Sequence, residues 1–133
     1  MGLSPRPDPI NFAKEIFSRD LSNFEMNLDQ TSPLFFDRSF LDSACMIFDS
    51  NASGYALIKP ILVEKRYNSK VFITPPWQEI YKTDSERDQT YEEAKRIYDR
   101  VYKWYNQHGY DLIELPKDSL EKRVEFVTNE ISI

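Results

Sequence analysis

The sequence predicts an α/β fold with a largely parallel sheet. Three short apolar runs alternate with stretches in which apolar residues recur every three or four positions. Short apolar runs are typical of strands that are covered on both faces, whereas the longer spacing is typical of amphipathic helices. Alternation of strands and helices favours parallel pairing, because a connection between parallel strands needs room for a helix.

In the first half of the chain, one predicted strand lies among three predicted helices. Asp8 is a suitable N-cap and Pro9 a suitable first helical residue, so the first helix should begin there. Ser39 can cap the second helix with its hydroxyl. Pro60 should bend or restart the third helix, since proline lacks the N–H that a helix interior needs. The elements are a helix at 9–27, a strand at 34–36, and helices at 39–50 and 55–67.

The second half of the chain continues the alternation. Pro75 should stop the second strand, and Gly109 suits the position just after a helix, where the left-handed conformation is common. Asp118 and Glu121 have the spacing of a capping box. The elements are a strand at 70–74, a helix at 86–107, a strand at 110–115 and a helix at 118–131.

The length and charge of the chain limit its functions. With 133 residues we expect a single domain, 1–133, in which 1–7 is a loose proline-rich arm. The net charge of −5 argues against broad docking on nucleic acid, because an acidic surface repels the phosphate backbone. No apolar run reaches the roughly 18 residues of a membrane helix. The single cysteine, Cys45, suits a reducing compartment, so we expect a cytoplasmic protein without membrane contact.

The predicted strand ends bring charged residues to one rim of the sheet. Ligands of open parallel sheets bind beyond the carboxyl ends of the strands. Asp37 and Arg38 follow the first predicted strand, and Pro116 and Lys117 follow the third. A carboxylate there can hold Mg²⁺ through water or accept a proton, and an arginine can bind phosphate through two hydrogen bonds. The alternative is that the Asp–Arg pair only caps a helix and fastens a loop.

A polar stretch before the long helix offers two further cations. Lys82 and Arg87 lie there among several acidic residues. One interpretation is a mobile lid that brings Arg87 over a phosphate. The other is a solvated helix start, where acidic residues are favoured by the helix dipole. The residue types alone favour the second interpretation.

A family resemblance is carried by three segments: FFDRSFLD, KVFITPPWQEIYKTDSERDQTYEEA and GYDLIELPKDSLEKRVEFV. Together they resemble the AAA_28-type ATPases, which are P-loop proteins similar in architecture to nucleoside and nucleoside-monophosphate kinases. INFAKEIFSRDL also resembles the helix that precedes FFDR in that family. The likeness is collinear from about residue 9 to 131. It implies a partial three-layer P-loop fold, with a short and mainly parallel sheet of about three strands flanked by helices.

The resemblance implies ATP hydrolysis or phosphoryl transfer, with ATP or another phosphorylated small molecule and Mg²⁺ as ligands. Asp37 would match the acidic residue at the end of a Walker-B-like strand, holding Mg²⁺ through water or activating an acceptor hydroxyl. Arg38 would contact the acceptor or a phosphate. Arg87 would lie in a lid-like region and stabilise charge on the transferred phosphoryl group. Three further residues would lie beside the bound nucleotide: Lys82, Pro116 and Lys117.

The sequence departs from that family at the phosphate-binding loop. The family begins with a strand and the pattern G-x-x-x-x-G-K-[ST], but none of the three glycines here starts that pattern. The N–H cradle, the lysine and the Mg²⁺-binding hydroxyl of that loop are therefore missing. We expect no ATP turnover by this chain alone, and interpret it as the C-terminal portion of a P-loop domain. The alternatives are a non-catalytic interaction module on the same scaffold, and an unrelated small α/β domain.

The missing first strand also predicts a partner. That strand is normally central in a P-loop sheet, so its loss would leave a sheet edge without a neighbour. Open edges tend to pair with other chains. We therefore expect a homodimer formed through the exposed edge of the sheet.

Overall fold

The fold is seen in a computed structural model, which describes residues 9–29, 34–50, 52–77 and 90–131. The chain divides into two compact units, Met1–Arg66 and Tyr67–Ile133. Among the described residues, the first unit contains three helices, and the second contains two strands and two helices. In chain order the elements are α1 Pro9–Met26, α2 Phe40–Ser50, α3 Ala52–Glu64, β1 Lys70–Ile73, α4 Tyr91–Gln107, β2 Asp111–Glu114 and α5 Leu120–Glu130.

Aromatic contacts fasten the start of α2 to α1. The three- and four-residue steps of apolar residues in α1 place Phe17 and Phe24 on its buried face. Phe40, the first residue of α2, is fully buried and meets both rings edge-on, with centroids 6.0 and 5.4 Å apart. Such pairs stabilise by about 0.5–1.5 kcal/mol each beyond their burial. The loop just before α2 is therefore held at one end by the core.

The third helix packs against α2 and runs through a proline. It begins at Ala52, three residues earlier than predicted, and continues past Pro60 to Glu64 without the predicted restart. Proline removes one N–H, which leaves the carbonyl of Ala56 without its helical donor. Ala56 and Pro60 both lie on the exposed face of α3, so water can satisfy that carbonyl. After the helix, Lys65 Nζ pairs with Glu25 Oε2 of α1 at 2.9 Å.

The second unit contains a parallel strand pair, which confirms the predicted α/β class. The register runs from Lys70 opposite Asp111 to Ile73 opposite Glu114. Two more bonds extend the pairing. The N–H of Asp111 donates to the carbonyl of Ser69 at 2.7 Å, and the N–H of Leu115 donates to the carbonyl of Ile73 at 2.9 Å. Between the strands in sequence lies α4, which packs against β2.

Both ends of α4 have recognisable caps. Thr90 is the N-cap, and its side chain accepts a hydrogen bond from the N–H of Glu93 at 3.2 Å. At the other end Gly109 has a φ of 83°, as the sequence predicted. Its N–H donates to Asn106 O and that of Tyr110 to Tyr105 O, the two bonds of a Schellman motif. The predicted helix start at 86, the arm at 1–7 and Asp8 lie outside the described residues.

The predicted first strand is wrong. Residues 34–36 have an irregular backbone, and the described residues form two strands rather than three. Leu34 and Phe35 are 47% and 64% exposed, so neither side chain is covered as a sheet would cover it. An apolar run becomes a strand only where another strand offers its N–H and C=O groups. Residues 34–36 have the apolar pattern of a strand, but no strand among the described residues pairs with them.

The predicted capping box of the last helix is wrong by one residue. Ser119, not Asp118, caps α5, since its hydroxyl accepts a hydrogen bond from the N–H of Lys122 at 3.3 Å. Asp118 lies one position earlier and accepts from the N–H of Ser119 at 2.7 Å. Aspartate and serine are about equally good caps, so the sequence did not distinguish between the two adjacent positions.

Candidate functional site

The Asp37–Arg38 pair lies in the loop that leads into α2. Both residues are exposed, whereas Ser39 and Phe40, which follow them, are buried. Only Ser39 separates the pair from the anchored first residue of the helix. The pair is therefore presented to solvent from a fixed point of the first unit.

Capping of α2 is carried out by Ser39 and Asp42. The Ser39 hydroxyl accepts a hydrogen bond from the N–H of Leu41 at 3.1 Å. In return, Asp42 Oδ2 accepts from the N–H of Ser39 at 2.9 Å. The two bonds are reciprocal, as in a capping box, but Ser39 accepts from the second helical N–H instead of the third, and aspartate replaces the usual glutamate. The predicted cap at Ser39 is confirmed, and the cap does not use the carboxylate of Asp37.

Arg38 adopts a backbone conformation that is unfavourable for its type. Its φ is 70°, and among the described residues it is the non-glycine residue with a positive φ. The left-handed region costs an L-residue roughly 1–2 kcal/mol, because Cβ approaches the following carbonyl oxygen. Such a residue persists only where its surroundings hold it, and strained residues cluster at functional sites. Here the cap at Ser39 and the buried ring of Phe40 fix the chain directly after Arg38.

The structure adds Asp20 of α1 to this region. The Ser43 hydroxyl lies 3.4 Å from Asp20 Oδ2 and 3.1 Å from the carbonyl of Phe40, so its one proton can be shared between them. Burial raises the pKa of Asp20 and the charge of Asp42 raises it further, while the Ser43 hydrogen bond and the Arg38 charge lower it. Asp20 therefore lies within electrostatic reach of the start of α2.

Sequence reasoning missed Asp20, although a signal was present. It follows Phe17 by three residues and precedes Phe24 by four, which places it on the buried face of α1. A carboxylate rarely occupies such a face without a partner. The amphipathic pattern of α1 thus contained an exception that deserved a functional or structural explanation.

Two of the remaining predicted site residues lie in the described part of the second unit. Pro116 and Lys117 follow β2 in the second unit, where Lys117 is exposed and the carbonyl of Pro116 accepts from the N–H of Asp118 at 3.0 Å. Two predicted residues lie outside the described part of the chain: Lys82 and Arg87. The structure thus places two of the predicted residues in one loop and two in another.

Glu114, the last residue of β2, lies near the phenol of Tyr98 in α4. Tyr98 Oη of α4 is buried and has no hydrogen-bond partner. Burial raises the pKa of Tyr98 to about 12, and the nearby Glu114 carboxylate contributes to the increase. Because its pKa is so high, Tyr98 keeps its proton throughout the neutral range.

The described residues supply only part of a site for ATP and Mg²⁺. Asp37 offers one carboxylate and Arg38 one cation. Within 9–29, 34–50, 52–77 and 90–131 there is no group of three or more His, Cys, Asp or Glu residues that could hold a metal ion. A nucleotide triphosphate also needs a loop of N–H groups and a lysine, and the sequence contains no such pattern. These residues do not form a complete Mg²⁺–ATP site.

The fold and the loop together define an α/β protein with a polar corner at the start of a helix. Comparison with protein families then gives a specific result: the AAA_28 family, described as an AAA domain, matches residues 2–123. The chain belongs to this family, and its domain is of the P-loop NTPase type. The resemblance carried by the three sequence segments is confirmed. No curated protein and no solved structure matches the chain.

Among the helices that the structure describes, none combines the length and the apolar character needed to cross a membrane. The family implies a nucleotide as ligand.

Proposed function

We propose that this chain is part of a nucleotide-binding P-loop ATPase or kinase-like domain and supplies its acidic and basic corner, Asp37 and Arg38. One observation carries the proposal: Ser39 and Asp42 cap α2, so Asp37 and Arg38 are not needed for that task. Both side chains are exposed at a fixed helix start, where a ligand can reach them.

The chemistry of the corner suits phosphoryl transfer, which depends on positioning and on stabilisation of charge. Asp37 would accept the proton of an acceptor hydroxyl or hold a water ligand of Mg²⁺. Arg38 would bind a phosphate through two parallel hydrogen bonds. Arg87 would neutralise charge on the moving phosphoryl group, and the nucleotide would lie against Lys82, Pro116 and Lys117.

In this proposal the phosphate cradle is not provided by the 133 residues themselves. They would form the C-terminal portion of the domain and would not turn over ATP alone. The genomic sequence upstream of the codon for Met1 tests the origin of the cradle. An in-frame strand followed by G-x-x-x-x-G-K-[ST] would support the proposal, and stop codons directly upstream would contradict it.

Calorimetry tests the catalytic part of the proposal. Titration of the chain with ATP and Mg²⁺ should show no affinity in the micromolar range. Asp37→Ala is the informative variant, and Asp99→Ala, at an exposed position of α4, is the matched control. Micromolar binding that is lost in Asp37→Ala and retained in Asp99→Ala would show that the corner binds nucleotide without a cradle, against the proposal.

A second candidate function, a non-catalytic interaction module, is favoured by the exposed apolar residues of the first unit. The side chains of Leu34 and Phe35 are exposed, although these residues lie just before Asp37 and Arg38 in the chain.

In the second unit, β1 and β2 pair only with each other among the described residues, so each has one open edge. Both ends of β2 are charged, whereas β1 is charged only at Lys70, so the edge of β1 is the better place for a second copy. Sedimentation at micromolar concentrations should show a dimer, and a monomer would argue against this module.

A further inference from the structure

We propose that the outer face of α3, the side that points away from α2, binds α3 of a second copy of this chain in a parallel two-helix pair. The inference concerns a surface that belongs neither to the loop with Asp37 and Arg38 nor to the edge of β1. Its test observes association alone and needs no nucleotide, so it can succeed or fail independently of the proposed function.

The outer face of α3 is both apolar and exposed. Leu57 and Val63 are 81% and 68% exposed. Ala56 and Pro60, on the same face, are exposed as well. The opposite face of the helix is also apolar and contains Leu62, which is only 1% exposed. Helices that are apolar on all sides are typically covered on all sides, so we expect a partner on the outer face.

The exposed residues of α3 occupy the positions that a coiled-coil helix uses for its partner. In a heptad abcdefg, positions a and d form the seam between two helices, and e and g flank it. With Pro60 at an a position, the exposed residues fall on a, d, e and g alone: Ser53, Ala56, Leu57, Lys59, Pro60, Val63 and Glu64. The partly or fully buried residues fall on b, c and f: Gly54, Tyr55, Ile58, Ile61 and Leu62.

The b, c and f face of α3 is already covered within the first unit. It packs against α2, where the rings of Phe48 and Tyr55 meet edge-on with their centroids 5.0 Å apart. The helix therefore has one face inside the unit and, on the other side, an exposed face with the spacing of a coiled-coil seam.

The charges on the outer face favour a second copy in parallel orientation. In a parallel pair, a residue at g lies beside the e residue that is five positions later on the other helix, and charges at these positions set the partner and the orientation. Lys59 and Glu64 have this spacing and opposite charges. Two copies would therefore form the same ion pair twice, once on each flank. An antiparallel pair would bring g beside g, so Lys59 would approach a like charge.

Both charges can take part in such a contact. Within the residues that the structure describes, no ion pair involves Lys59 or Glu64, and both side chains are exposed. Lys65, the neighbour of Glu64, pairs with Glu25 of α1 at 2.9 Å. The symmetric contact would form two ion pairs without breaking this one.

The contact is short, so we expect weak association. The 13 residues of α3 amount to fewer than two full heptads. The carbonyl of Ala56 also lies at the seam without a helical donor, because Pro60 has no N–H, and removing it from water is unfavourable. Sedimentation should therefore cover protein concentrations of roughly 0.01–1 mM, the range of weak interfaces.

Reversal of one charge at a time is the perturbation. Lys59→Glu brings two acidic residues together on each flank, and Glu64→Lys brings two basic residues together. Each variant alone should dimerise about tenfold more weakly than the unmodified chain, since exposed ion pairs contribute modestly and two are lost at once. Lys14→Glu, at an exposed position of α1, changes the net charge as much as Lys59→Glu and should leave dimerisation unchanged.

Mixing the two charge-reversed variants is the decisive measurement. In an equimolar mixture of Lys59→Glu and Glu64→Lys, each flank of a mixed dimer again holds one acidic and one basic residue. With a fluorescent label on the N-terminus of one variant, sedimentation should show a mixed dimer that forms about as readily as the unmodified dimer. Such rescue would also show that both variants are folded.

Four results would overturn the proposal. A chain that stays monomeric up to about 1 mM would leave the face to another molecule, and a dimer that is insensitive to Lys59→Glu would use another surface, such as the edge of β1. Equal weakening by Lys14→Glu would reduce the effect to net charge. Weakening by both reversals without rescue in the mixture would exclude the parallel pair.

Discussion

Replacing Arg38 by glycine should stabilise the first unit by about 0.5–1 kcal/mol. The φ of 70° costs a residue with a Cβ roughly 1–2 kcal/mol, and glycine avoids that cost. Glycine also destabilises the folded state by about 0.4–1 kcal/mol, because it increases the conformational entropy of the unfolded chain. Arg38→Ala keeps the Cβ and removes the guanidinium, so the difference between the two variants isolates the backbone term. The exposed side chain itself should contribute little.

The assay must report on the first unit alone. Trp77 and Trp104 both belong to the second unit, so tryptophan fluorescence would not follow α2. Amide hydrogen exchange of buried residues in α2, such as Ala44 and Ile47, is the appropriate measurement. Their exchange should be about twofold to fivefold slower in Arg38→Gly than in Arg38→Ala. Equal exchange rates in the two variants would show that the backbone at Arg38 stores no strain.

Three further predictions follow from the contacts of single residues. Phe40→Ala should lower the free energy of unfolding of the first unit by about 3–5 kcal/mol. Phe48→Ala should lower it clearly less, since Phe48 is 40% exposed. Urea unfolding, followed by hydrogen exchange in α2, compares the two variants. Gly109→Ala should destabilise the chain by about 1–2 kcal/mol, because Gly109 has a φ of 83°. Gly54→Ala, inside α3, should stabilise it by up to about 1 kcal/mol. In thermal unfolding, the first variant should lower the melting temperature and the second should raise it. The pKa of Tyr98 is raised from 10.0 to about 12, so the contribution of the protonated phenol to stability is present below pH 10 and is lost as the pH rises through about 12. At alkaline pH, circular dichroism should therefore show that Tyr98→Phe unfolds less readily than the unmodified chain.

The sequence predicted best where one residue type satisfies one local requirement. Gly109 was placed after α4 because few other residues tolerate a positive φ there, and the Schellman bonds confirm it. Ser39 was placed at the start of α2 because its hydroxyl can accept from the first turn, and the hydrogen bond to Leu41 confirms it. Such predictions need only the few residues next to each other in the chain.

Prediction from the sequence was weaker where the structure of a segment depends on residues that are distant in the chain. Whether 34–36 becomes a strand depends on a neighbouring strand, which the apolar pattern of those three residues does not reveal. The role of Asp20 depends on the packing of α1 against α2, which brings it to Ser43, 23 residues later in the chain. Its position on an apolar face was visible in the sequence, but its partners were not. The contribution of Lys82 and Arg87 to the site stays a prediction.

The choice between a structural and a functional reading of Asp37 and Arg38 depends on what the loop would lose without them. The cap of α2 is complete with Ser39 and Asp42, and the anchor is the ring of Phe40. A glycine at position 38 would preserve both and would remove the cost of the positive φ. An arginine in that conformation is therefore unfavourable for folding and does not contribute to the cap of α2. The loop nevertheless keeps an exposed arginine at this strained position, directly after the exposed Asp37, which is the pattern expected where a side chain serves a ligand.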